Sequence, residues 1–285
     1  MSKGYVTIAQ GEEYLDQAYA LALSLQLTQS SVHNLAVCVD PDTKRLISKK
    51  HREVFDEIVD IPWGDHAQGE TWKIHNKWKY YWMTPYDETV ILDTDMIFPV
   101  DVSHWWPILG ERDVWACTHT KTYRGHDVVS DYYRRAFTAN DLPNVYTAFY
   151  YFRKSDLAAE IAGITEIVFQ HWQRFYHKYV PKQKPEQLSG DVAYALAIKL
   201  AGAEHLATRE DVVDVPTFTH MKSHIQGVPD TMLSETWCES LPTYWADVSN
   251  FKVGNHQQMY PFHYVEPTWL QPEWVKQMEV QLGVQ

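Results

Sequence analysis

Short runs of consecutive apolar residues alternate along this chain with stretches where apolar positions recur every three or four residues. Tyr5-Val-Thr-Ile-Ala9 is short and β-branched, which predicts a strand broken by Gly11. Residues 12–27 place Leu15, Ala18, Tyr19 and Ala22 on one helical face. Residues 34–40 predict a second buried strand stopped by Pro41, residues 43–55 a charged helix, and residues 57–61 a third strand ended by Pro62. This order predicts a mostly parallel sheet with helices on its faces. A loop carrying Gly64 and Gly69 follows, then a Trp-, Lys- and Tyr-rich helix over 71–83 and a strand over 89–92. Further strands are predicted at 114–117, 146–153 and 212–215, and helices at 155–177 and 189–201. Residues 225–285, rich in Pro, Trp and His, predict only short elements. No repeat, low-complexity tract or linker divides the chain, so a single domain over 1–285 is expected.

Composition narrows the class. Of 285 residues, 45% are hydrophobic and 22% charged, which fits an ordinary globular protein and excludes disordered, collagen-like and coiled-coil chains. No window holds the ~18 apolar residues of a membrane span, and the N-terminus shows no signal-peptide core. The net charge of −12 argues against broad nucleic-acid binding while leaving room for a local basic groove. Cys38, Cys117 and Cys238 form no CxxC pair, so a reduced, cytoplasmic chain without structural zinc is expected. Aromatic residues reach 14%, a supply of ring faces that can fill a core or pack against sugars and bases.

The candidate chemistry begins at Asp93-Thr-Asp95, directly after the apolar run Val90-Ile-Leu92. In open α/β sheets ligands bind beyond the carboxyl ends of strands, so two carboxylates there can turn toward one ligand. A buried pair of like charges calls for a cation, and Mg²⁺ or Mn²⁺ is the ion that takes carboxylate oxygens together with a substrate phosphate. The bland alternative is a pair of turn or cap aspartates.

Several motifs together resemble the glycosyltransferases of the GT-A fold, in particular the glycogenin-like, family 8-like retaining group. Tyr5-Val6-Thr7-Ile8 followed by Tyr14 matches the group's first strand and helix, and Lys77 lies sixteen residues before Asp93, as the group places its lysine. Thr147 in Tyr146-Thr-Ala-Phe-Tyr-Tyr-Phe152 stands where the group has Asn-Ser-Gly, and Asp191 in Ser189-Gly-Asp191 where it has Asp-Gln. The Asn, Gly and Gln are replaced, and the resemblance runs from residue 5 to about 220. It implies a Rossmann-like, mostly parallel sheet with an irregular C-terminal extension: a nucleotide-binding half over 1–110, a donor/acceptor half over 111–224, and the extension over 225–285.

The resemblance further implies a Mn²⁺ or Mg²⁺ ion on Asp93 and Asp95. His220 is the favoured third ligand and His263 its competitor. Thr7, Ala9, Tyr14, Lys77, Asp93, Thr147 and Lys222 would bind the nucleotide-sugar, Asp191 would approach the donor sugar, and Lys77 would also assist catalysis. The implied activity is transfer of a hexose or pentose from a nucleoside diphosphate, with UDP expected, to an acceptor hydroxyl. Retention follows from the resemblance alone; an inverting enzyme would need a base carboxylate, a role Asp191 could also fill.

Rivals are a phage-type DNA glycosyltransferase acting on a hydroxymethylated base and a non-catalytic sugar- or nucleotide-binding module. Lys121, Arg124, Arg134 and Arg135, interleaved with Tyr123, Tyr132 and Tyr133, would supply the DNA-type groove; the alternative is a solvated loop face. A zinc pair at His220 and His224 lacks a further ligand at the expected spacing. Dinucleotide, P-loop, hydrolase-elbow and zincin signatures are absent, and Ala9-Gln-Gly-Glu-Glu13 lacks the basic Gly-rich loop of a nucleotidyltransferase.

Overall fold

The computed structural model describes residues 1–70, 73–128, 134–208, 216–221 and 241–284. The first half contains β1 (Lys3–Ala9), α1 (Glu12–Thr28), β2 (Leu35–Val39), α2 (Pro41–Leu46), α3 (Lys49–Val54), β3 (Glu57–Asp60), a 3₁₀ turn at Lys77–Lys79, α4 (Tyr80–Met83), β4 (Glu88–Leu92) and β5 (Met96–Ile97). The middle holds α5 (Trp105–Leu109), β6 (Val114–Cys117), β7 (Thr120–Lys121), α6 (Arg135–Ala139), β8 (Tyr146–Arg153), α7 (Asp156–Gln170), α8 (Trp172–Tyr179), α9 (Gly190–Leu200) and α10 (Glu204–Ala207). Last come β9 (Phe218–His220), β10 (Thr243–Asp247), β11 (Asn250–Val253), β12 (His256–Gln257), β13 (Phe262–His263) and α11 (Pro272–Leu282).

The main sheet runs β3-β2-β1-β4-β8-β6. Its first four strands are parallel, and β8 is antiparallel to both β4 and β6. Every residue of β2 and β4 is buried, because helices cover both faces. Side chains alternate between two cores: Tyr5, Val37 and Val90 face α1, while Val6, Ala36 and Ile91 face the side of α7 and α9. The mostly parallel α/β class predicted from the strand–helix order is therefore found.

Strand order determines where a ligand can enter. The chain winds outward from β1 to β2 and β3, then crosses back to place β4 on the other side of β1. The β1/β4 junction is thus a switch point, and a crevice opens beyond the carboxyl ends of these two strands. A second sheet, β5-β13-β9-β7, pairs β13 antiparallel to β5 and parallel to β9 beside that crevice.

Several predicted boundaries shift for local reasons. The helix expected over 43–55 is two helices. Pro41 stops β2 but also opens α2, where Asp40 accepts from the Asp42 and Thr43 amides. Ser48 then opens α3, its amide donating to His51 Nδ1. The long helix over 155–177 breaks at His171, whose φ of −127° and ψ of 28° separate α7 from α8. The helix over 71–83 reduces to the 3₁₀ turn and α4, and its first two positions, Thr71 and Trp72, lie outside the described residues. The expected strand at 212–215 also lies outside them. Among the described residues of 225–285, α11 is an unforeseen eleven-residue helix packed against α1, where Tyr19 Oη donates to Glu279 Oε1 at 3.1 Å.

This packing sets an acid response. His51 is buried, stacked on Phe55 at 6.0 Å and edge-on to Tyr19 at 5.2 Å. Its Nε2 has no hydrogen-bond partner among the described residues. Burial, aided by Lys50, lowers its pKa to about 4. The folded ring resists a proton that the unfolded ring accepts near 6.5, so this contribution is present above pH 6.5 and is lost as pH falls toward 4. Between pH 7 and pH 5 the wild type should lose up to about 2 kcal/mol that His51→Gln does not lose, measured by urea unfolding.

Candidate active site

The crevice beyond β1 and β4 is a cleft of about 320 Å³. Its walls include Thr7 and Tyr14 from the β1–α1 segment, Lys77 from the 3₁₀ turn, and Asp93, Thr94 and Asp95 from the turn after β4. Five of the residues singled out in the sequence therefore meet at one place. The Asp93–Asp95 turn is held from two sides. Thr94 Oγ1 donates to Gln17 Oε1 of α1 at 2.8 Å, and the Tyr264 amide donates to the Asp95 carbonyl at 3.1 Å. The two carboxylates are thus presented by fixed backbone.

Each carboxylate has a basic neighbour. Lys77 Nζ donates to Asp93 Oδ1. Burial alone would lower the Lys77 pKa, but the charge and hydrogen bond of Asp93 prevail and hold the ammonium above the ordinary lysine range. His263 Nε2 lies 3.0 Å from Asp95 Oδ2. Burial opposes ionisation of both groups, yet their mutual attraction lowers Asp95 and raises His263. His263 Nδ1 is buried without a hydrogen-bond partner among the described residues.

Ligand atoms of Asp93, Asp95 and His263 all lie within 4.8 Å of one another. Two carboxylate oxygens and one imidazole nitrogen suit a divalent ion such as Mn²⁺, and three protein ligands leave positions for substrate oxygens. The donor set fits such an ion. The expected order of the two histidines reverses here. β13 pairs with β5, whose first residue follows Asp95, and this register brings His263 into the trio. His220 sits one strand further away on β9, its ring centroid 5.1 Å from that of His263. Burial and the neighbouring His263 lower the His220 pKa to about 3.

Thr7 is fully buried, and its Oγ1 has no partner among the described residues although the residue lines the cleft. Ala9 is buried at the end of β1 and is not part of the cleft wall. Thr147 is a support for Asp191, its amide and hydroxyl donating to Asp191 Oδ1 at 2.8 and 2.6 Å. Ser189 caps α9 by accepting from the Val192 amide, which places Asp191 in the first turn. A Cβ on Gly190 would stand 3.6 Å from Lys77 Cδ, so the start of α9 abuts the lysine. Lys222, His224, Tyr132, Tyr133 and Cys238 lie outside the described residues.

Arg134 corrects the basic-groove expectation. Its guanidinium lies 3.9 Å from the ring centroids of both Phe137 and Tyr146. It donates to Asp191 Oδ2, to the Val145 carbonyl and to Asn144 Oδ1. Arg134 is therefore an internal partner of Asp191, neither a groove residue nor a solvated one. Lys121 pairs with Asp127 at 2.5 Å. Besides Arg134, residue-by-residue reading missed Gln17 and Tyr264 as anchors of the acidic turn. All three act through pairings that no local motif marks.

No family model and no curated protein matches the chain. Among solved structures, it is similar to the glycosyltransferase GlyE of Streptococcus pneumoniae TIGR4, with 15% identity, 74% of this chain covered and a TM-score of 0.43. The chain spans 46% of the length of that protein. It is also similar to apo mouse xyloside xylosyltransferase 1, with 10% identity over 75% of this chain and 86% of that one at a TM-score of 0.46. A third similar structure is galactosyltransferase LgtC in complex with donor and acceptor sugar analogues, with 13% identity over 68% of this chain and 70% of that one at 0.45. Among the described residues no helix is long and apolar enough to cross a membrane.

Proposed function

We propose that the chain is a metal-dependent glycosyltransferase that moves a sugar from a nucleoside diphosphate to an acceptor hydroxyl. The observation that carries this reading is the convergence of Asp93, Asp95, His263, Lys77, Tyr14 and Thr7 at the switch point of the parallel sheet. Asp93, Asp95 and His263 would hold Mn²⁺ or Mg²⁺, which when bound supplies neutralisation of diphosphate charge. Lys77 is held ionised and adds a second cation for the same phosphates. Tyr14 offers a ring to the base.

Asp191 has a narrower role than its sequence position allows. Thr147 and Arg134 use three of the roughly four lone-pair directions of its carboxylate. One direction remains for a donor-sugar hydroxyl. Burial raises its pKa, but the Arg134 charge and the Thr147 hydrogen bonds prevail and hold it below the ordinary carboxylate range. Such a carboxylate is a poor general base near neutral pH. This favours a mechanism in which the bond from sugar to diphosphate breaks and the departing phosphate oxygen takes the proton of the acceptor hydroxyl as the new glycosidic bond forms.

The test is titration calorimetry with UDP and a set of UDP-sugars, each with and without Mn²⁺, followed by assay of donor hydrolysis. Binding that requires Mn²⁺, with slow release of UDP from one sugar donor, is expected. Nucleotide binding indifferent to the metal would overturn the proposal. Lys77→Ala should leave the melting temperature close to wild type while slowing turnover by about 10²–10³-fold, the scale of losing one charge-stabilising group. A fully active variant would remove Lys77 from the mechanism.

A further inference from the structure

Two indole rings stand exposed beside the sheet, Trp63 just after β3 and Trp82 in α4, where a protein normally hides them. Trp63 is 61% exposed and Trp82 46% exposed. Trp63 lies flat on the buried Trp78, with centroids 5.7 Å apart and planes 7° from parallel. Trp82 meets it at 6.2 Å and 72°. Together they form a floor and a side wall.

The loop is built to hold this arrangement. Trp63 has φ of 58°, a left-handed backbone that a bulky residue rarely adopts, and Gly64 follows at 79°. Lys79 is fully buried, and its ammonium donates to the carbonyls on either side of Trp63, Pro62 at 2.9 Å and Gly64 at 2.5 Å. A strained residue fixed from beneath by a buried cation, with its ring face turned to water, is an outlier that invites a functional explanation.

The shelf is also tied to the cleft. Asn76 Nδ2 donates to Asp65 Oδ1 of the Trp63 loop at 2.6 Å and to Gln10 Oε1, directly after β1, at 2.9 Å. Trp78, which carries Trp63, is the residue after Lys77. The shelf is therefore joined to the cleft through one turn of backbone, Asn76 to Trp78.

We propose that Trp63 and Trp82 form a stacking shelf for a pyranose ring of a carbohydrate, and that this carbohydrate is the acceptor. Indole faces pack against the apolar C–H face of a sugar. The Asp65 carboxylate and the His66 ring, stacked on Trp78 at 5.7 Å, lie beside the shelf as partners for hydroxyls. Area separates a sugar from a protein partner. The exposed parts of two indoles offer on the order of 200–250 Å², against the ~800 Å² per side that a stable protein interface needs. The acceptor role rests on the transferase reading; sugar binding by the shelf does not.

The experiment titrates the full chain with maltohexaose, cellohexaose, mannohexaose and chitohexaose, and in parallel with UDP plus Mn²⁺. At least one hexasaccharide should bind, and Trp63→Ala should weaken it about tenfold or more, the scale of losing one rigid aromatic contact. Trp82→Ala should weaken it less, and both variants should keep wild-type circular dichroism and UDP affinity. Failure of all four sugars to bind at about 10 mM, where even a millimolar complex would be saturated, overturns the shelf. Unchanged affinity in Trp63→Ala overturns it as well. Sugar binding that depends on Trp63, without any nucleotide binding, would keep the shelf and remove the transferase reading together with the acceptor role. Nucleotide binding without sugar binding would do the reverse.

Discussion

Asp95→Asn should reduce UDP affinity in the presence of Mn²⁺ to its metal-free level, a loss of about 100-fold or more, since even partners that only orient a ligand cost 10–100-fold. The substitution conserves volume and removes one of the two negative charges that face the cleft. The fold should survive it. The Asp95 backbone carbonyl, which accepts from Tyr264, is untouched, and the side chain pairs with His263 at the cleft. Without the Asp95 charge, burial dominates His263 and its pKa falls. His263→Ala deletes the third ligand of the trio and should also weaken Mn²⁺-dependent binding, whereas His220→Ala should leave most of it. Those two variants separate the histidines directly. Retained metal-dependent affinity in Asp95→Asn would remove the ion from the Asp93–Asp95 turn, and loss in His220→Ala but not His263→Ala would restore the order expected from sequence.

What the sequence made legible follows from distance along the chain. Asp93 and Asp95 could be placed because the apolar run before them predicts a strand, and strand ends in a parallel sheet converge. Lys77 and Tyr14 were readable only in combination, from spacing relative to that turn and to β1. The choice between His220 and His263 was not readable. Both follow short apolar runs, and only the pairing of β13 with β5 decides which reaches Asp95. The internal role of Arg134 is hidden for a related reason. A lone arginine in a basic cluster is ordinarily solvated, and its carboxylate partner lies 57 residues further on. Trp63 shows the opposite failure. Hydrophobicity predicts burial, so nothing in a residue count announces an indole held in water by a buried lysine beneath it. The break at His171 has no Pro or Gly to mark it.

Arg134→Ala should destabilise the chain by about 2–3 kcal/mol. Breaking a buried ion pair costs ~3–5 kcal/mol when a charge is left uncompensated, and this pair is only partly shielded. Arg134 is 12% exposed and Asp191 26% exposed at their side chains, which argues for the lower end. Arg134 also loses its contacts with Phe137 and Tyr146. For a chain of this size the melting temperature should fall by roughly 4–10 °C. The sign of the pH dependence identifies the partner. Asp191 is held below its ordinary value of 3.8 in the fold, so its contribution is present above pH 3.8 and is lost as pH falls through the folded value. In Arg134→Ala the cation is gone while burial still raises the carboxyl, so the acid limb of stability below pH 4 should flatten. The double variant Arg134→Ala with Asp191→Ala should be more stable than the sum of the single losses predicts, because it removes the stranded charge. Strict additivity, or an unchanged acid limb, would show that Arg134 contributes by packing alone. Activity supplies the remaining discrimination. Thr147→Val removes one hydrogen bond to Asp191 and keeps the ion pair, so it should lower kcat with little change in melting temperature if the Asp191 carboxylate must be aimed at the donor sugar as well as held in place.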